Sequence, residues 1–467
     1  MVIPLTLKRT FDKAEIYRAV LTCLLIASSF FWGGSGFMTW TYGMDPYLPA
    51  TGVLFYGGVV GYLMQAGGLF FCFLGIRKGL RCFDMEKQAL WFGLHLAALC
   101  VSVMANRFPL KLGAGLFMNL MIGITSGIFL LMLAKMVPDR CRGLVFGVGY
   151  AMGSLGSWGL SLLGGSFIQS SGALAVYAAA AILSIILLLV LERDESAKDA
   201  PEGASELQEI PAEPKHDRCF LWQALFLVFF LSLTVALGDL MPMKDVLNDT
   251  VPWAYTRAFY AISLLIAGLL NDRSRKAGAI ISVLGLILPF AMFVMHENWG
   301  DLTLLLILAY LPKGIYTVFR VLLFQDLTGT EERYLYLAPL GLLAGRLGDA
   351  TGTGLGIFFG EHMVPVMLCA LVGFFATSLL ALRILPIVYG HGETAGEDAV
   401  PELFGERFGF SRRESEVFEQ VLEGKTNAEI AERLYISEST VKFHVKNILR
   451  KTECGNRGEL LSLYRKK

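Results

Sequence analysis

The chain has 467 residues, of which 55% are hydrophobic and 17% are charged. Soluble domains carry about 25% charged residues, so this composition argues against a single water-soluble core. Forty basic residues balance 40 acidic ones, and the net charge of zero identifies no partner by itself. The eight cysteines form no CxxC pair and no metal-ligand spacing, which predicts packing residues in a reducing compartment and no metal or other cofactor.

Long apolar stretches recur along the first 390 residues. About 20 apolar residues cross the hydrocarbon layer as a helix. Twelve stretches qualify as candidates, near residues 17–42, 52–76, 89–105, 112–136, 143–168, 172–191, 219–241, 252–271, 277–295, 301–324, 335–359 and 364–389. They predict an all-α, polytopic twelve-helix bundle embedded in a lipid bilayer.

The bundle is divided by a polar segment at residues 192–218. This segment carries nine acidic residues, four basic residues and three prolines, with almost no apolar run. Such a composition is typical of a solvated linker. We therefore expect a first six-span half-bundle at 1–191 and a second at 219–389.

Lysine and arginine concentrate in alternate loops of this layout. Nineteen lie in the loops of one face, whereas the opposite loops hold three, Arg107, Lys111 and Lys244. Short cytoplasmic loops retain Lys and Arg. The asymmetry predicts a multi-pass protein of the cell inner (cytoplasmic) membrane with both termini in the cytoplasm.

The loops after the second and eighth spans carry similar clusters, namely Gly75, Arg77, Lys78, Gly79 and Arg81, and Asp272, Arg273, Arg275 and Lys276. With the 6+6 layout, these clusters resemble the major facilitator superfamily over residues 1–390. The resemblance implies that superfamily's fold. The fourth span holds no arginine and the fifth no proline, where members often have them, and these departures argue against active transport. Glycine pairs such as Gly149 and Gly153 predict close helix packing in lipid.

Charged residues within the spans concentrate in the second half, at Asp239, Arg257, Lys313, Arg320, Arg346, Asp349 and Arg383. Charges inside a membrane are costly and mark functional sites. We expect Asp239, Arg257, Lys313 and Arg346 to contribute to a cavity that binds a small anionic or polar ligand. The alternative is internal pairing, of Arg346 with Asp349 and of Arg257 with Asp239.

Residues 390–407 are acidic and contain glycine, which predicts a second linker, and residues 408–467 have the pattern of a small soluble domain. Three capping signals predict its first, second and fourth helices: Ser411 with Glu414, Thr426 with Glu429, and Asn456 with Glu459. Ser437 caps a third helix after a tight turn, which predicts a helix-turn-helix.

The third helix is expected from Glu438 to Lys451. Val441, His444, Val445 and Ile448 share one face and are expected to pack inward. Lys442, Lys446 and Arg450 follow at i, i+4 and i+8, so they form a positive stripe about 12 Å long, given the rise of about 1.5 Å per residue. On the second helix of a helix-turn-helix, such a stripe predicts insertion into the major groove of DNA.

Sixteen residues of this segment follow one family pattern: Glu414, Val417, Gly424, Asn427, Glu429, Ile430, Ala431, Leu434, Ser437, Thr440, Val441, Lys442, His444, Ile448, Lys451 and Arg457. The segment closely resembles the LuxR-type helix-turn-helix domain. The resemblance implies DNA contacts from the third helix and its cap, at Ser437, Ser439, Thr440, Lys442, Phe443, Lys446 and Arg450. It implies dimerisation on DNA through the fourth helix, at Leu460, Leu461 and Leu463.

Phe443 departs from the smaller or polar residues common at its position in that family. Two interpretations stay open: contact with a thymine methyl group, or packing inside the domain. No nucleophile or acid accompanies His444, so we expect no enzymatic activity.

Together these features predict a membrane-bound one-component transcription regulator that binds double-stranded DNA as a homodimer and senses a small molecule through its bundle. The alternative is a transporter of the major facilitator type with a regulatory DNA-binding tail. A third interpretation treats the bundle as a passive anchor.

Overall fold

The computed structural model describes residues 12–163, 167, 170–196, 218–240, 253–295, 303–328, 332–360, 362–389, 404–405, 407–452 and 454–465. Every regular element in these ranges is helical. The chain forms two compact units, Met1–Ala381 and Leu382–Lys467. The all-α prediction is therefore confirmed for the described residues.

The first half of the membrane unit contains α1 (Lys13–Tyr42), α2 (Ala50–Arg77), α3 (Met85–Met104), α4 (Phe108–Met136), α5 (Arg142–Ser161) and α6 (Ser171–Ser196). The second half contains α7 (Arg218–Leu240), α8 (Trp253–Arg273), α9 (Arg275–Leu284, extended by Gly285–Ile287 and Leu288–Met295), α10 (Thr303–Thr328), α11 (Leu340–Phe359) and α12 (Met363–Tyr389). Each predicted span falls on one of these helices.

Eight of these described helices are long and apolar enough to cross a membrane: α1, α2, α3, α4, α6, α7, α10 and α12. The other four carry glycine, polar or charged residues, or are interrupted as α9 is, which lowers their apolar length. The protein is a multi-pass membrane protein, and the number of twelve spans stays a prediction.

Helices α1 and α4–α6 pack together in the first half, and α7 packs along α11 in the second. The halves meet where α2 packs on α11 and where α5 packs on α8. Within the first half, small residues bring α1 and α5 close together: a Cβ atom on Gly149 would lie 2.8 Å from the carbonyl oxygen of Cys23, and one on Gly153 2.7 Å from that of Ala27. The predicted packing role of these two glycines is confirmed, because larger side chains would push α1 from α5.

Polar contacts also join the two halves at the end that carries the basic loops. The carboxylate of Asp272 accepts hydrogen bonds from the backbone N–H groups of Gly143 (2.8 Å) and Leu144 (2.6 Å), at the start of α5. Arg142 donates to the carbonyl oxygen of Gln325 at 3.3 Å, and the Gln325 amide donates to Leu130 at 3.1 Å. These bonds hold α4, α5, α8 and α10 together.

The first predicted linker is shorter than expected where it is described. Helix α6 continues to Ser196, because Asp194 forms an ion pair with Arg18 of α1. Helix α7 begins at Arg218. The rest of the linker, residues 197–217, lies outside the described residues, as do residues 390–403 of the second.

The carboxyl-terminal unit contains α13 (Arg412–Leu422), α14 (Asn427–Leu434), α15 (Glu438–Lys451) and α16 (Arg457–Arg465). Its buried core draws on all four helices: Val417, Phe418, Val421, Ile430, Ala431, Val441, Ile448 and Leu460. Phe404, which the sequence assigns to the second linker, is 1% exposed and its ring stacks on Phe418 with centroids 5.0 Å apart. The packed domain therefore includes residues before 408.

Candidate functional sites

Local hydrogen bonds position helix α15. The Ser437 hydroxyl accepts from the backbone N–H of Thr440 at 3.1 Å and caps the helix. Helix α14 ends at Leu434, and the residue that caps it, Tyr435, has the left-handed backbone conformation (φ 53°). The turn between α14 and α15 is therefore only three residues long, as a helix-turn-helix requires.

The two faces of α15 differ as the sequence predicts. Val441 and Ile448 are fully buried in the domain core. Lys442, Lys446 and Arg450 are all exposed on the other side. The exposed face of α15 thus carries three cations over its length, and Lys442 forms an ion pair with Glu438 at 2.8 Å.

Phe443 lies beside this cationic stripe. Its side chain is 61% exposed, so packing inside the domain, one of the two interpretations of this residue, is wrong for the single domain. Ser437 and Ser439 are exposed at the start of the helix, and Thr440 is half-buried. All seven predicted DNA-contacting residues therefore lie on α15 or its cap.

Buried ionic contacts fix the position of α15 against α13. Lys451 donates to the carboxylate of Glu414 and to the carbonyl oxygen of Gly409, both at 2.7 Å. Burial raises the pKa of Glu414, but the hydrogen bonds from Lys451 and Ser411 outweigh it and hold that pKa below its ordinary value of 4.5. Glu414 is thus ionised at neutral pH and anchors the carboxyl end of α15.

The three leucines expected at a dimer contact lie in different environments. Leu460 is fully buried in the core of its own domain, so its side chain is not available to a second copy. Leu461 and Leu463 are half-buried. A dimer contact through α16 would therefore use Leu461 and Leu463, while Leu460 stabilises the single domain.

A cavity of about 400 Å³ lies between helices of both halves of the membrane unit. Its lining includes three cations, Lys313, Arg320 and Arg346, and two carboxylates, Asp239 and Asp349. Five tyrosines line it as well. The cavity thus combines charge with aromatic surface inside an apolar bundle.

The charged residues of the cavity are paired. Lys313 Nζ donates to both carboxylate oxygens of Asp239 at 2.8 Å. Arg320 and Arg346 each place Nη1 at 3.2 Å from the same oxygen of Asp349, Oδ2. Arg320 also donates to the hydroxyl of Tyr316 at 2.6 Å. Such pairing offsets much of the cost of holding charge in a low-dielectric environment.

Three of the four residues predicted to bind a ligand, Asp239, Lys313 and Arg346, lie at this cavity. The side chain of Arg257 lies outside the described residues. The alternative of internal pairing holds for Arg346 and Asp349, whereas the partner of Asp239 is Lys313. Internal pairing is thus partly confirmed, and three of the predicted residues line the cavity, while ligand binding there stays a prediction.

The comparisons with known proteins separate the two units. Residues 409–464 match the LuxR family of bacterial regulatory proteins. Residues 409–464 are a LuxR-type helix-turn-helix domain. An uncharacterized transcriptional regulatory protein of Bacillus subtilis, YhcZ, is 40% identical to the chain over 78 residues, which are 17% of this chain and 35% of that protein. The chain therefore spans about a third of that relative's length, and the likeness concerns the LuxR-type domain.

The membrane unit matches a different group. Residues 84–256 match the Major Facilitator Superfamily. The human organic anion transporter MFSD10 has a TM-score of 0.57 and 14% identity, covering 80% of this chain and 100% of its own. The transporter FucP in its outward conformation has a TM-score of 0.51 and 13% identity, covering 80% of this chain and 99% of its own. The membrane unit has the major facilitator fold, which at such identity carries no substrate with it.

Arg320, Asp349 and the five tyrosines were not expected at the cavity from the sequence. A signal for Arg320 was present, because it follows Lys313 by seven residues, two helical turns, and so shares its helix face. No local pattern distinguishes Tyr62 or Tyr316 from other span tyrosines. The role of Tyr62 depends on contact between the halves, through Arg346, and that of Tyr316 on contacts with Ser232 and Asp349 of other helices.

Proposed function

We propose that this protein is a membrane-bound one-component transcription regulator. In this proposal α15 enters the major groove of double-stranded DNA, and the membrane unit responds to a small molecule in its cavity. The main support is the exposed cationic face of α15 in a LuxR-type domain that is joined, in one chain, to a membrane bundle. No catalytic step is part of the proposal.

The charge of the domain supports binding as a pair. Residues 408–467 carry twelve basic and nine acidic residues, a net charge of +3. Phosphate neutralisation supplies much of the affinity of DNA-binding proteins, so a single domain with this charge binds weakly. Two domains paired on DNA through Leu461 and Leu463 would bind more tightly, because the second contact becomes intramolecular.

Genome-wide DNA occupancy of the full chain tests the DNA-binding role. The variant Lys442→Ala, Lys446→Ala should lose specific occupancy, since it removes two cations from the exposed face of α15. In vitro, the slope of log affinity against log salt should fall by about 1 for each lysine that contacts phosphate.

The matched control is Arg412→Ala, Arg413→Ala, which removes the same charge from α13, where both side chains are exposed. We expect this control to keep specific occupancy. Equal loss of occupancy in both variants would mean that only the total charge of the domain matters. It would contradict the proposal that α15 enters the major groove.

The sensing role is supported by the cavity and its paired charges. A ligand shifts a protein between two conformations only if it binds one of them more tightly. Ion pairs such as Lys313–Asp239 provide groups that can exchange partners with a polar or anionic ligand. If the bundle is a passive anchor, replacing it by an unrelated transmembrane dimer leaves regulation unchanged.

Transport is the rival function, and it is favoured by the fold that the membrane unit shares with transporters. Uptake of a candidate substrate into proteoliposomes by residues 1–389 would support it. Regulation of a target promoter that persists when no substrate moves would support the sensor. The missing arginine in α4 and missing proline in α5 are the sequence features that weigh against transport.

We place both termini on the cytoplasmic face of the inner membrane, in agreement with the loop charges. The segment at 390–403, which precedes the packed Phe404, has 14 residues, for which a flexible chain has a reach of roughly 20 Å. DNA must then approach the membrane to be bound. A reporter that fluoresces only in the cytoplasm is fused to each terminus in turn, and we expect fluorescence from both fusions.

A further inference from the structure

A second lobe of about 280 Å³ adjoins the charged cavity. The two lobes share several lining residues, among them Tyr62, Tyr150, Ser154 and Arg346. One continuous space therefore reaches from Lys313 in the second half into the first half of the bundle. Its first lobe is lined by three cations and two carboxylates, whereas Arg346, which both lobes share, is the only arginine, lysine or carboxylate among the described residues that line the second.

The second lobe contains two buried polar atoms that lack a partner among the described residues. Gln65 Oε1 and His95 Nε2 have no hydrogen-bond partner among the described residues, and their residues are 3% and 2% exposed. Both residues line the lobe. The other polar atoms of these side chains are engaged: Gln65 Nε2 donates to Asn119 at 2.7 Å, and His95 Nδ1 lies 3.3 Å from the Thr125 hydroxyl.

A buried acceptor without a partner is unfavourable, because it has lost its hydrogen bonds to water, so its presence in two side chains of one lobe requires an explanation. The amide oxygen of Gln65 can only accept a hydrogen bond. Nε2 of a neutral imidazole also accepts when Nδ1 carries the proton, as it does if Nδ1 donates to Thr125. A ligand hydroxyl or N–H group in this lobe would satisfy the unpaired oxygen of Gln65, and a second donor or the same ligand could reach Nε2 of His95.

At the other end, the charges do not balance. Asp239 neutralises Lys313 through both of its oxygens. Among the described residues, Arg320 and Arg346 share the single carboxylate of Asp349, which leaves one positive charge in excess between them. Buried charge without a counter-ion is unfavourable, so this arginine pair favours an anion.

Arg346 has donors to spare for such an anion. Among the described residues it gives one hydrogen bond, from Nη1 to Asp349. A guanidinium has five N–H donors in a planar fork that suits a carboxylate or similar group. Its Cζ lies 4.9 Å from the ring centroid of Tyr62, which lines both lobes and holds the guanidinium at their junction.

We propose that the ligand is a small organic monoanion that carries a hydroxyl or N–H donor at its far end. Its anionic group binds Arg320 and Arg346, and its donor group binds Gln65 in the lobe that His95 also lines. This inference rests on the proposed sensing function, to which it adds a second subsite and a chemical class of ligand.

Thiol labelling of the full chain tests the anionic end. Ser154→Cys places a thiol on the wall shared by both lobes, and two reagents of the same reactive group are compared: methanethiosulfonate ethylsulfonate, an anion, and methanethiosulfonate ethyltrimethylammonium, a cation. Each converts the thiol to a mixed disulfide and releases methanesulfinate. Because the chain has eight native cysteines, labelling is measured by mass spectrometry of the peptide that contains residue 154. Each rate is divided by the rate of the same reagent with free cysteine, which corrects for its intrinsic reactivity.

The anion should react about tenfold faster than the cation after this correction, since a cleft of one sign concentrates the opposite ion. Arg346→Gln should abolish the preference and Asp349→Asn should increase it, so the two variants move the ratio in opposite directions. Arg383→Gln, an exposed arginine on α12, is the control and should leave it unchanged. A preference for the cation, or no labelling by either reagent, would overturn the anionic subsite.

Protection from labelling tests the donor end. 4-Hydroxybenzoate should slow labelling at residue 154 at a several-fold lower concentration than benzoate, since both are monoanions and only the first carries a hydroxyl donor. Gln65→Leu should remove the difference between the two acids. His95→Phe, which keeps a ring against Trp32, is the second variant and should reduce it. Equal protection by the two acids, or none, would overturn the donor subsite.

The labelling results are independent of DNA binding. If the full chain occupies no specific DNA, the proposed regulatory function fails while the charge selectivity of the cavity still stands. If occupancy is specific but the anion preference is absent, the ligand class fails and the regulator remains.

Discussion

The ammonium nitrogen of Lys313 on α10 lies 2.8 Å from each carboxylate oxygen of Asp239 on α7. Pro312 precedes Lys313 inside α10, where proline removes a helical hydrogen bond and weakens the local backbone. The pair therefore joins α7 and α10 next to the proline in α10. This contact connects the second-half helices that line the cavity.

Lys313→Ala should destabilise the membrane unit, because it leaves the charge of Asp239 without its partner. The two side chains are 30% and 41% exposed, so solvent screens the loss to roughly 1–2 kcal/mol. Thermal unfolding of the full chain in detergent measures this. The double variant Lys313→Ala, Asp239→Ala should be more stable than Lys313→Ala alone. If its loss of stability equals the sum of the losses in Lys313→Ala and Asp239→Ala measured separately, the pairing is contradicted.

Phe404→Ala should destabilise the LuxR-type domain strongly. Phe404 is 1% exposed and stacks on Phe418, and truncation of a buried phenylalanine costs about 3–5 kcal/mol. That is a large part of the stability of so small a domain. Circular dichroism of a fragment covering residues 400–467 measures the change. Phe443→Ala, at a side chain 61% exposed, is the control and should change stability by less than about 0.5 kcal/mol.

Glu414→Gln should destabilise the same fragment at neutral pH but not in acid. Glutamine keeps the capping box with Ser411 and loses the ionic bond with Lys451. Since the pKa of Glu414 is lower in the folded state than its ordinary value of 4.5, its ionised form stabilises the fold above that value. This contribution is lost as the pH falls through the lowered pKa.

Unfolding of the Glu414→Gln fragment is measured from neutral pH downward, together with Glu416→Gln as control. Glu416 pairs with Arg413 at the surface, where ion pairs contribute about 0–1 kcal/mol. We expect the difference between the parent fragment and Glu414→Gln to shrink below pH 4.5. A difference independent of pH would assign the effect of Glu414 to packing and not to charge.

Phe443→Ala should reduce discrimination for thymine without unfolding the domain. The ring is exposed beside the cations of α15, and apolar side chains there contact the thymine methyl group. Selection of bound sequences from random DNA should show relaxed preference at one T·A position. Tyr435→Asn is the control, since Tyr435 is 93% exposed outside α15 and asparagine tolerates its left-handed backbone. An unchanged sequence preference in Phe443→Ala would contradict this role.

The LuxR-type domain was predictable almost residue by residue. Capping boxes at Ser411 and Thr426 and the helical spacing of Val441 and Ile448 are short-range signals, and the helices begin where those signals place them. The spans of the membrane unit were predictable as apolar stretches, but not which side chains meet across the bundle. Residues such as Tyr62 and Asp349, far apart in the chain, come together only when α2 packs on α11.

The sequence by itself determined that a helical membrane bundle is joined to a helix-turn-helix domain with a cationic third helix, because hydropathy, capping and periodicity are local properties of the chain. The tertiary structure decided that Asp239 pairs with Lys313, that Asp349 is shared by two arginines, and that Phe404 and Leu460 are core residues. Pairing and burial depend on contacts between helices distant in sequence. For that reason the DNA-binding face was evident from the amino acids alone, whereas the chemistry of the cavity was not.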